Sequence, residues 1–250
     1  MDSGHHVPPR YFIRVTPRLP WILAGVVTIL LLTHVTLQVY HYRFETVDLH
    51  DALENQKGIS YLLRDLFDVD QENNIPTWYS NATLLVASLL LLSIANAKRR
   101  DRAPFAGHWL GLSIVFAFLA LDEDAGIHET LNTLGDYLSG ADQNHWEIGG
   151  LIFVAIFALN YLKFWWRLPS RTRLLFAIAG LGFVSGAVGV EHLSKDMDSD
   201  TLAYNLMTVW EEGFEMYFIV LFVHAILDYM RMPAGAPLAI EVDVIPAPRV

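Results

Sequence analysis

Long apolar segments recur along the chain, and short polar segments separate them. The apolar runs fall in six stretches: 21–40, 77–97, 103–121, 148–162, 174–190 and about 205–229. A helix needs about 20 residues to cross the ~30 Å hydrocarbon core of a bilayer, since each residue adds about 1.5 Å. The pattern therefore predicts an all-α polytopic membrane protein, a bundle of six transmembrane helices within residues 20–231, numbered here as spans one to six.

Two of these stretches, the fourth and the fifth, are short by this measure. Lys163 can extend its charged end to the headgroups, and Trp165 and Trp166 suit the membrane boundary, so the fourth stretch still predicts a span. The overall composition agrees with a membrane protein, because 18% of the residues are charged, against roughly 25% in soluble domains.

Lys and Arg residues alternate between the two sides of the predicted bundle. Thirteen of the 17 lie before span one, between spans two and three, between spans four and five, or after span six. By the positive-inside rule, both termini are predicted to be cytoplasmic, in a cell inner (plasma) membrane. The external loops are acidic, which argues against nucleic acid as a partner and leaves the lipid bilayer as the main one.

The segments at the two ends differ from the spans. Residues 1–19 form a basic arm that resembles the start of a signal peptide, but the apolar run after it is too long and no cleavage motif follows, so we expect span one to be retained. The Pro- and Ala-rich tail 232–250 has no helical period and is predicted to be disordered. The absence of cysteine excludes disulfides and thiolate metal sites.

The external loop 41–76 contains two recognisable patterns. From Ile59 to Phe67, apolar residues recur at helical spacing, which predicts an amphipathic helix on the external interface. Directly after it, Asp68, Asp70 and Glu72 alternate as oxygen ligands do in the first half of a calcium loop. The glycine and the final glutamate of such a loop are missing, so a weak calcium site and an ordinary polar turn both stay open.

Span five carries a stripe of small residues on one face. The stripe consists of Gly182, Ser185, Gly186 and Gly189. Small residues let membrane helices approach closely. The stripe predicts close packing against a neighbouring helix of the chain or against another membrane subunit.

Acidic and histidine side chains collect at the external ends of spans three, five and six. The candidate set is Glu123, Asp124, His128, Glu191, His192, Glu211, Glu212 and Glu215. A carboxylate at the bilayer centre costs about 2.5–3.5 kcal/mol, and neighbouring carboxylates repel. Protonation, water or bound cations must offset that charge, and imidazoles beside carboxylates favour Fe, Mn or Zn over Ca.

Helical spacing gives these side chains an expected orientation. Glu211, Glu212 and Glu215 share one face of span six, and we expect Glu123, Asp124 and His128 to face the bundle. Histidines His34, His108 and His224 lie away from this set and are predicted to serve packing or hydrogen bonding.

The segments FDVDQENNIPTWYS, FLALDEDAGIHE and VWEEGFEMYF resemble bacterial multipass membrane proteins of uncharacterised function, which implies a single six-helix unit. Intramembrane hydrolases of the alkaline ceramidase type are similar in placing His and Asp ligands at one membrane face. Their Ser-x-x-x-His and His-x-x-x-His patterns do not occur here, so their zinc ligands are not carried over.

Three functions fit these patterns. The first is a membrane enzyme with one or two divalent metal ions, hydrolytic or oxidative, acting on a lipid-like substrate. The second is a transporter for protons or divalent cations, which requires a continuous polar path. The third is a non-catalytic accessory subunit of a membrane complex.

Overall fold

The computed structural model describes residues 10–14, 16–45, 59–127, 130, 145–194, 197–198, 201–231 and 239–243. Its helices are α1 (Leu19–Tyr40), α2 (Ile59–Phe67), α3 (Ile75–Arg100), α4 (Ala106–Ala125), α5 (His145–Arg167), α6 (Ser170–Val184), α7 (Glu191–Ser194) and α8 (Leu202–Arg231). Two π-helical turns extend α1 and α6, at His41–Glu45 and Ser185–Val190. Two short strands are β1 (Arg10–Arg14) and β2 (Ala239–Asp243).

Local sequence explains where the long helices begin and end. At the start of α3, the side chain of Asn74 accepts a hydrogen bond from the Thr77 N–H at 3.2 Å, and a proline occupies the first turn, where its missing N–H costs nothing. The last turn of α3 contains Lys98 and two arginines, which the negative end of the helix dipole favours. Helix α4 ends at Ala125, and the next residue, Gly126, has a φ of 51°, which glycine adopts without steric cost.

Five helical segments of the described part are long and apolar enough to cross a membrane. They are Leu19–Arg43, Ile75–Arg100, Ala106–Ala125, Ser170–Ser194 and Leu202–Arg231. They match predicted spans one, two, three, five and six, in agreement with an all-α membrane protein. The predicted fourth span lies within α5, a helix of 23 residues, and its crossing of the membrane stays a prediction.

The two strands correct the prediction for the C-terminal tail. Residues 239–243, expected to be disordered, pair antiparallel with β1, with Arg10 opposite Asp243 and Arg14 opposite Ala239. The segments before α1 and after α8 therefore meet.

Helix α8 is the centre of the bundle, since α1, α3 and α6 all pack against it, and α4 packs on α3. We call the end where α3 is followed by α4 the basic end, and the end where α8 begins the acidic end. At the basic end, Trp109 contacts the rings of Phe164, Phe176 and Tyr229. Large aromatic side chains such as Phe164 join α5 to α4.

The small-residue stripe of span five packs as predicted at two of its positions. A Cβ added at Gly182 would overlap the Phe218 ring, and one added at Gly186 would lie 2.9 Å from the backbone oxygen of Glu211. At Gly189 it would meet nothing within 4 Å. Gly182 and Gly186 thus allow α6 and its π-helical turn to lie in close contact with α8.

Candidate functional site

Carboxylates from three separate segments gather at the acidic end around Glu212 of α8. Glu212 is half-buried, and it interacts electrostatically with the carboxylates of Glu215, Glu123, Glu211 and Asp70. We call these five residues the Glu212 cluster. Glu123 comes from the last turn of α4, and Asp70 comes from the turn between α2 and α3.

The π-helical turn Ser185–Val190 helps to set the position of these carboxylates. Gly186, inside this turn, is buried against the backbone of Glu211 and the side-chain stem of Glu215. Such turns are rare and occur often at functional sites. The close contact fixes the part of α8 that carries three of the five carboxylates.

Asp70 is held by α8 and by its own turn. The Tyr204 hydroxyl donates a hydrogen bond to Asp70 Oδ1 at 3.3 Å, and the Asp70 N–H donates to Asp68 Oδ1 at 3.2 Å. The carboxylate of Glu72, two residues on, lies against Gly126 at the end of α4. The turn therefore bridges the ends of α4 and α8 and brings a carboxylate to Glu212 from outside the long helices.

A buried polar network anchors this turn to α1. Asp68 accepts a hydrogen bond from Gln38 Nε2 at 3.2 Å, and its Oδ1 lies 3.4 Å from His34 Nδ1. The Val69 N–H donates to His34 Nδ1 at 3.2 Å, and Val69 packs among apolar residues of α1, α3 and α8. His34 is 1% exposed, so the turn reaches well inside the bundle.

The segment Asp68–Glu72 was predicted to be either a weak calcium site or an ordinary polar turn. The carboxylate of Asp68 is directed to Gln38 and His34, that of Asp70 to Tyr204, and that of Glu72 to Gly126. Each carboxylate thus contacts a different part of the chain, as in an ordinary polar turn, and the weak calcium site stays a prediction.

The structure brings together half of the predicted metal-ligand set. Glu123, Glu211 and Glu215 all interact electrostatically with Glu212, whereas Asp124 and His192 are exposed. The expectation that Asp124 faces the bundle is therefore not met. His128 and the side chain of Glu191 lie outside the described residues. Among the residues that the structure describes, no group of three or more His, Asp or Glu side chains is arranged to hold a metal ion.

The histidines outside the set behave as packing and hydrogen-bonding residues where contacts are described. His34 accepts a hydrogen bond in the network with Asp68, and His108 packs against the rings of Phe105, Tyr161 and Phe164. Asp70 and the His34 network were not predicted as parts of the site. In the sequence, this network is indicated only by the spacing of His34 and Gln38, which places both polar side chains on the same face of α1.

No curated protein and no solved structure shows a significant match to this sequence. One family model does match, over residues 21–229, and it describes a domain of unknown function, DUF8692. The matched segment contains the five apolar helical segments, except for the first two residues of the first one and the last two of the last one, together with α5 and the whole Glu212 cluster. Because the match covers most of the sequence, this chain belongs to the DUF8692 family.

Proposed function

We propose that the protein is a six-span integral membrane protein whose Glu212 cluster binds a divalent cation and forms the metal centre of a membrane enzyme. The convergence of Glu123, Asp70 and two further α8 carboxylates on the half-buried Glu212 carries this proposal. Like charges gathered at a membrane surface repel, and a bound cation offsets their charge without requiring all of them to take up protons.

The strand pairing supports six crossings. Strands β1 and β2 pair directly, and only residues 15–18 and 232–238 connect them to α1 and α8. The longer connection, of seven residues, reaches about 25 Å when extended, so neither connection alone crosses the ~30 Å core, and the start of α1 and the end of α8 belong on the same side of a membrane. This requires an even number of crossings, and α5 adds the sixth to the five apolar segments. The basic end is then cytoplasmic by its Lys and Arg residues.

The chemistry of the gathered side chains narrows the choice of metal. All five members of the cluster offer carboxylate oxygens, and of the three predicted metals, Mn²⁺ suits oxygen ligands best. A divalent ion held by these carboxylates would act as a Lewis acid at the membrane boundary, where the polar group of a lipid-like substrate would lie. Hydrolysis of such a substrate is the reaction that we propose.

A transporter fits the structure less well. Beyond the cluster, the bundle towards the basic end is filled by apolar and aromatic side chains, including Trp109, Phe176, Phe222 and Ile226. This apolar packing towards the basic end does not favour the continuous polar path that a transporter requires.

The first test measures bound metal in the purified, detergent-solubilised protein by inductively coupled plasma mass spectrometry after incubation with Mn²⁺ and gel filtration. We expect the unchanged protein to retain about one or two ions per chain and Glu212→Gln to lose at least about tenfold in affinity. The control is Asp124→Asn, which removes an exposed carboxylate from the same helix turn as Glu123.

Two results would overturn the proposal. One is the absence of retained metal from a folded, unchanged protein reconstituted with Mn²⁺, Fe²⁺ or Zn²⁺. The other is equal loss of metal in Glu212→Gln and Asp124→Asn, which would indicate general attraction to an acidic surface. Hydrolysis of fluorescent phospholipids by the metal-loaded protein then tests the enzymatic part separately.

A further inference from the structure

A second site lies at the basic end, on the opposite side of the bundle from the Glu212 cluster. A cavity of about 230 Å³ opens there between the last turn of α3, the loop before α4, the end of α5 and the end of α8. Its polar lining includes Lys98 and Arg167, and its apolar lining includes Phe105, Trp109, Phe164 and Tyr229. No carboxylate is among the described residues that line it.

The charges around this cavity distinguish it from the rest of the basic end. Nearby Arg171 forms an ion pair with Asp228 at 3.1 Å, and Arg173 is stacked over the rings of Trp165 and Trp166. Neither of these arginines lines the cavity. Lys98 and Arg167 face it without an acidic side chain between them, so the cavity is a local centre of positive charge.

The loop before α4 adds a further attraction for anions. Phe105 precedes α4 with a φ of 65°, an uncommon conformation for a bulky residue, and no side chain caps the helix. The first N–H groups of any helix lack a carbonyl partner within the helix, and together with the positive dipole end of this 20-residue helix they favour an anionic group. Because Phe105 itself lines the cavity, this helix end lies at its edge.

The floor of the cavity is apolar. Trp109 and Phe164 are 2% and 3% exposed, and Lys98 Nζ lies 5.6 Å from the centre of the Tyr229 ring. The volume is below the ~300–1,000 Å³ of pockets that enclose drug-sized ligands, so it suits a headgroup-sized part of a larger molecule. The cations Lys98 and Arg167 next to aromatic side chains, at the end of membrane-spanning helices, suit the phosphate and glycerol of a phospholipid.

We propose that this cavity binds the phosphate group of an anionic phospholipid such as phosphatidylglycerol, with Lys98 and Arg167 as the phosphate contacts. The site is independent of the Glu212 cluster and of any activity there. In the proposed orientation it faces the cytoplasmic leaflet, where basic pockets between helices recruit anionic lipids.

The test compares lipid retention by the full-length protein in mild detergent, using native mass spectrometry after incubation with phosphatidylglycerol or phosphatidylcholine. We expect retention of phosphatidylglycerol, and a loss of roughly thirty-fold in its affinity for the Lys98→Gln/Arg167→Gln variant. The matched control is Arg99→Gln/Arg100→Gln, which removes the same charge from exposed positions in the same region and should retain the lipid.

A second variant distinguishes loss of lipid binding from loss of folding. Ala103→Phe narrows the cavity and keeps both cations, so it should also lose phosphatidylglycerol while its thermal unfolding stays cooperative. Equal weakening in the two charge variants would overturn the proposal, as would no weakening in either. Inorganic phosphate without lipid is a separate arm, measured as the rise in the thermal unfolding temperature of the unchanged protein. If inorganic phosphate raises this temperature as much as phosphatidylglycerol does, the site recognises a free anion and the lipid proposal fails.

Discussion

Near its basic end the bundle packs Trp109 against three aromatic rings, whereas near its acidic end α4, α8 and the turn between α2 and α3 bring carboxylates towards Glu212. The first region follows the rule for any core, since large apolar side chains fill the space between helices. The second gathers charges that lower stability unless something offsets them. Groups that lower stability and are nevertheless retained are typical of functional sites, which supports the proposal that the Glu212 cluster is one.

The aromatic packing should give the largest effect on stability. Trp109→Ala removes a side chain that is 2% exposed and should lower the free energy of unfolding by about 3 kcal/mol. Denaturant titration in detergent micelles measures this. The control is Trp21→Ala, also at the basic end but 77% exposed. Similar losses in both variants would contradict a specific aromatic core at this end.

A glycine substitution tests how closely α6 and α8 must approach at the acidic end. Gly186→Ala places a Cβ 2.9 Å from the backbone oxygen of Glu211, and the resulting shift should cost about 2 kcal/mol. It should also weaken metal retention, because it displaces Glu211 and Glu215. Gly189→Ala is the control, since nothing lies within 4 Å of its added Cβ; it should be neutral or stabilise by up to about 1 kcal/mol. Equal effects at the two positions would refute the close approach.

The turn between α2 and α3 has its own test. Asp68→Ala leaves the Gln38 amide and the Asp70 N–H without their acceptor, which should cost about 1–3 kcal/mol. Limited proteolysis should also cut this turn faster. In Asp65→Ala an exposed side chain is removed from the neighbouring helix, and little change is expected. An unchanged cleavage rate in Asp68→Ala would show that the network does not hold the turn.

The smallest effect is expected between the two regions, where α3 meets α4. Ser88 donates to the Ser113 backbone oxygen at 2.8 Å, and Ser113 donates to that of Ser88 at 2.9 Å. Hydrogen bonds between membrane helices average about 0.6 kcal/mol, so Ser88→Ala should lower stability by about that amount. A double-mutant cycle with Ser113→Ala measures the coupling. Strict additivity of the two losses would mean that the pair acts as two independent contacts.

Hydropathy alone predicts most of the bundle, because the membrane requirement imposes length and composition on each helix. It also predicts that Glu123 meets the α8 carboxylates, since antiparallel spans place those residues at one end. The orientation of Asp124 was harder to predict, because neighbouring residues on a helix differ by about 100° and two faces of α4 were equally polar.

Other features depend on contacts between distant parts of the chain. The alternation of Ile240, Glu241 and Val242 is a strand signal, but a strand forms only with a partner, which is β1 at the other end of the sequence. Likewise, the segment around Asp68 has the composition of a solvated turn. Its burial follows from side chains of α1 that lie about 30 residues away.

That buried turn also couples the Glu212 cluster to α1. His34 lies six residues before the end of α1, about 9 Å along the helix, and its ring accepts a hydrogen bond from the buried Val69 N–H. Asp70 directly follows Val69, so a shift of α1 would move the Asp70 carboxylate relative to Glu212. The charge around Glu212 is therefore coupled mechanically to a helix that contributes no carboxylate to the cluster.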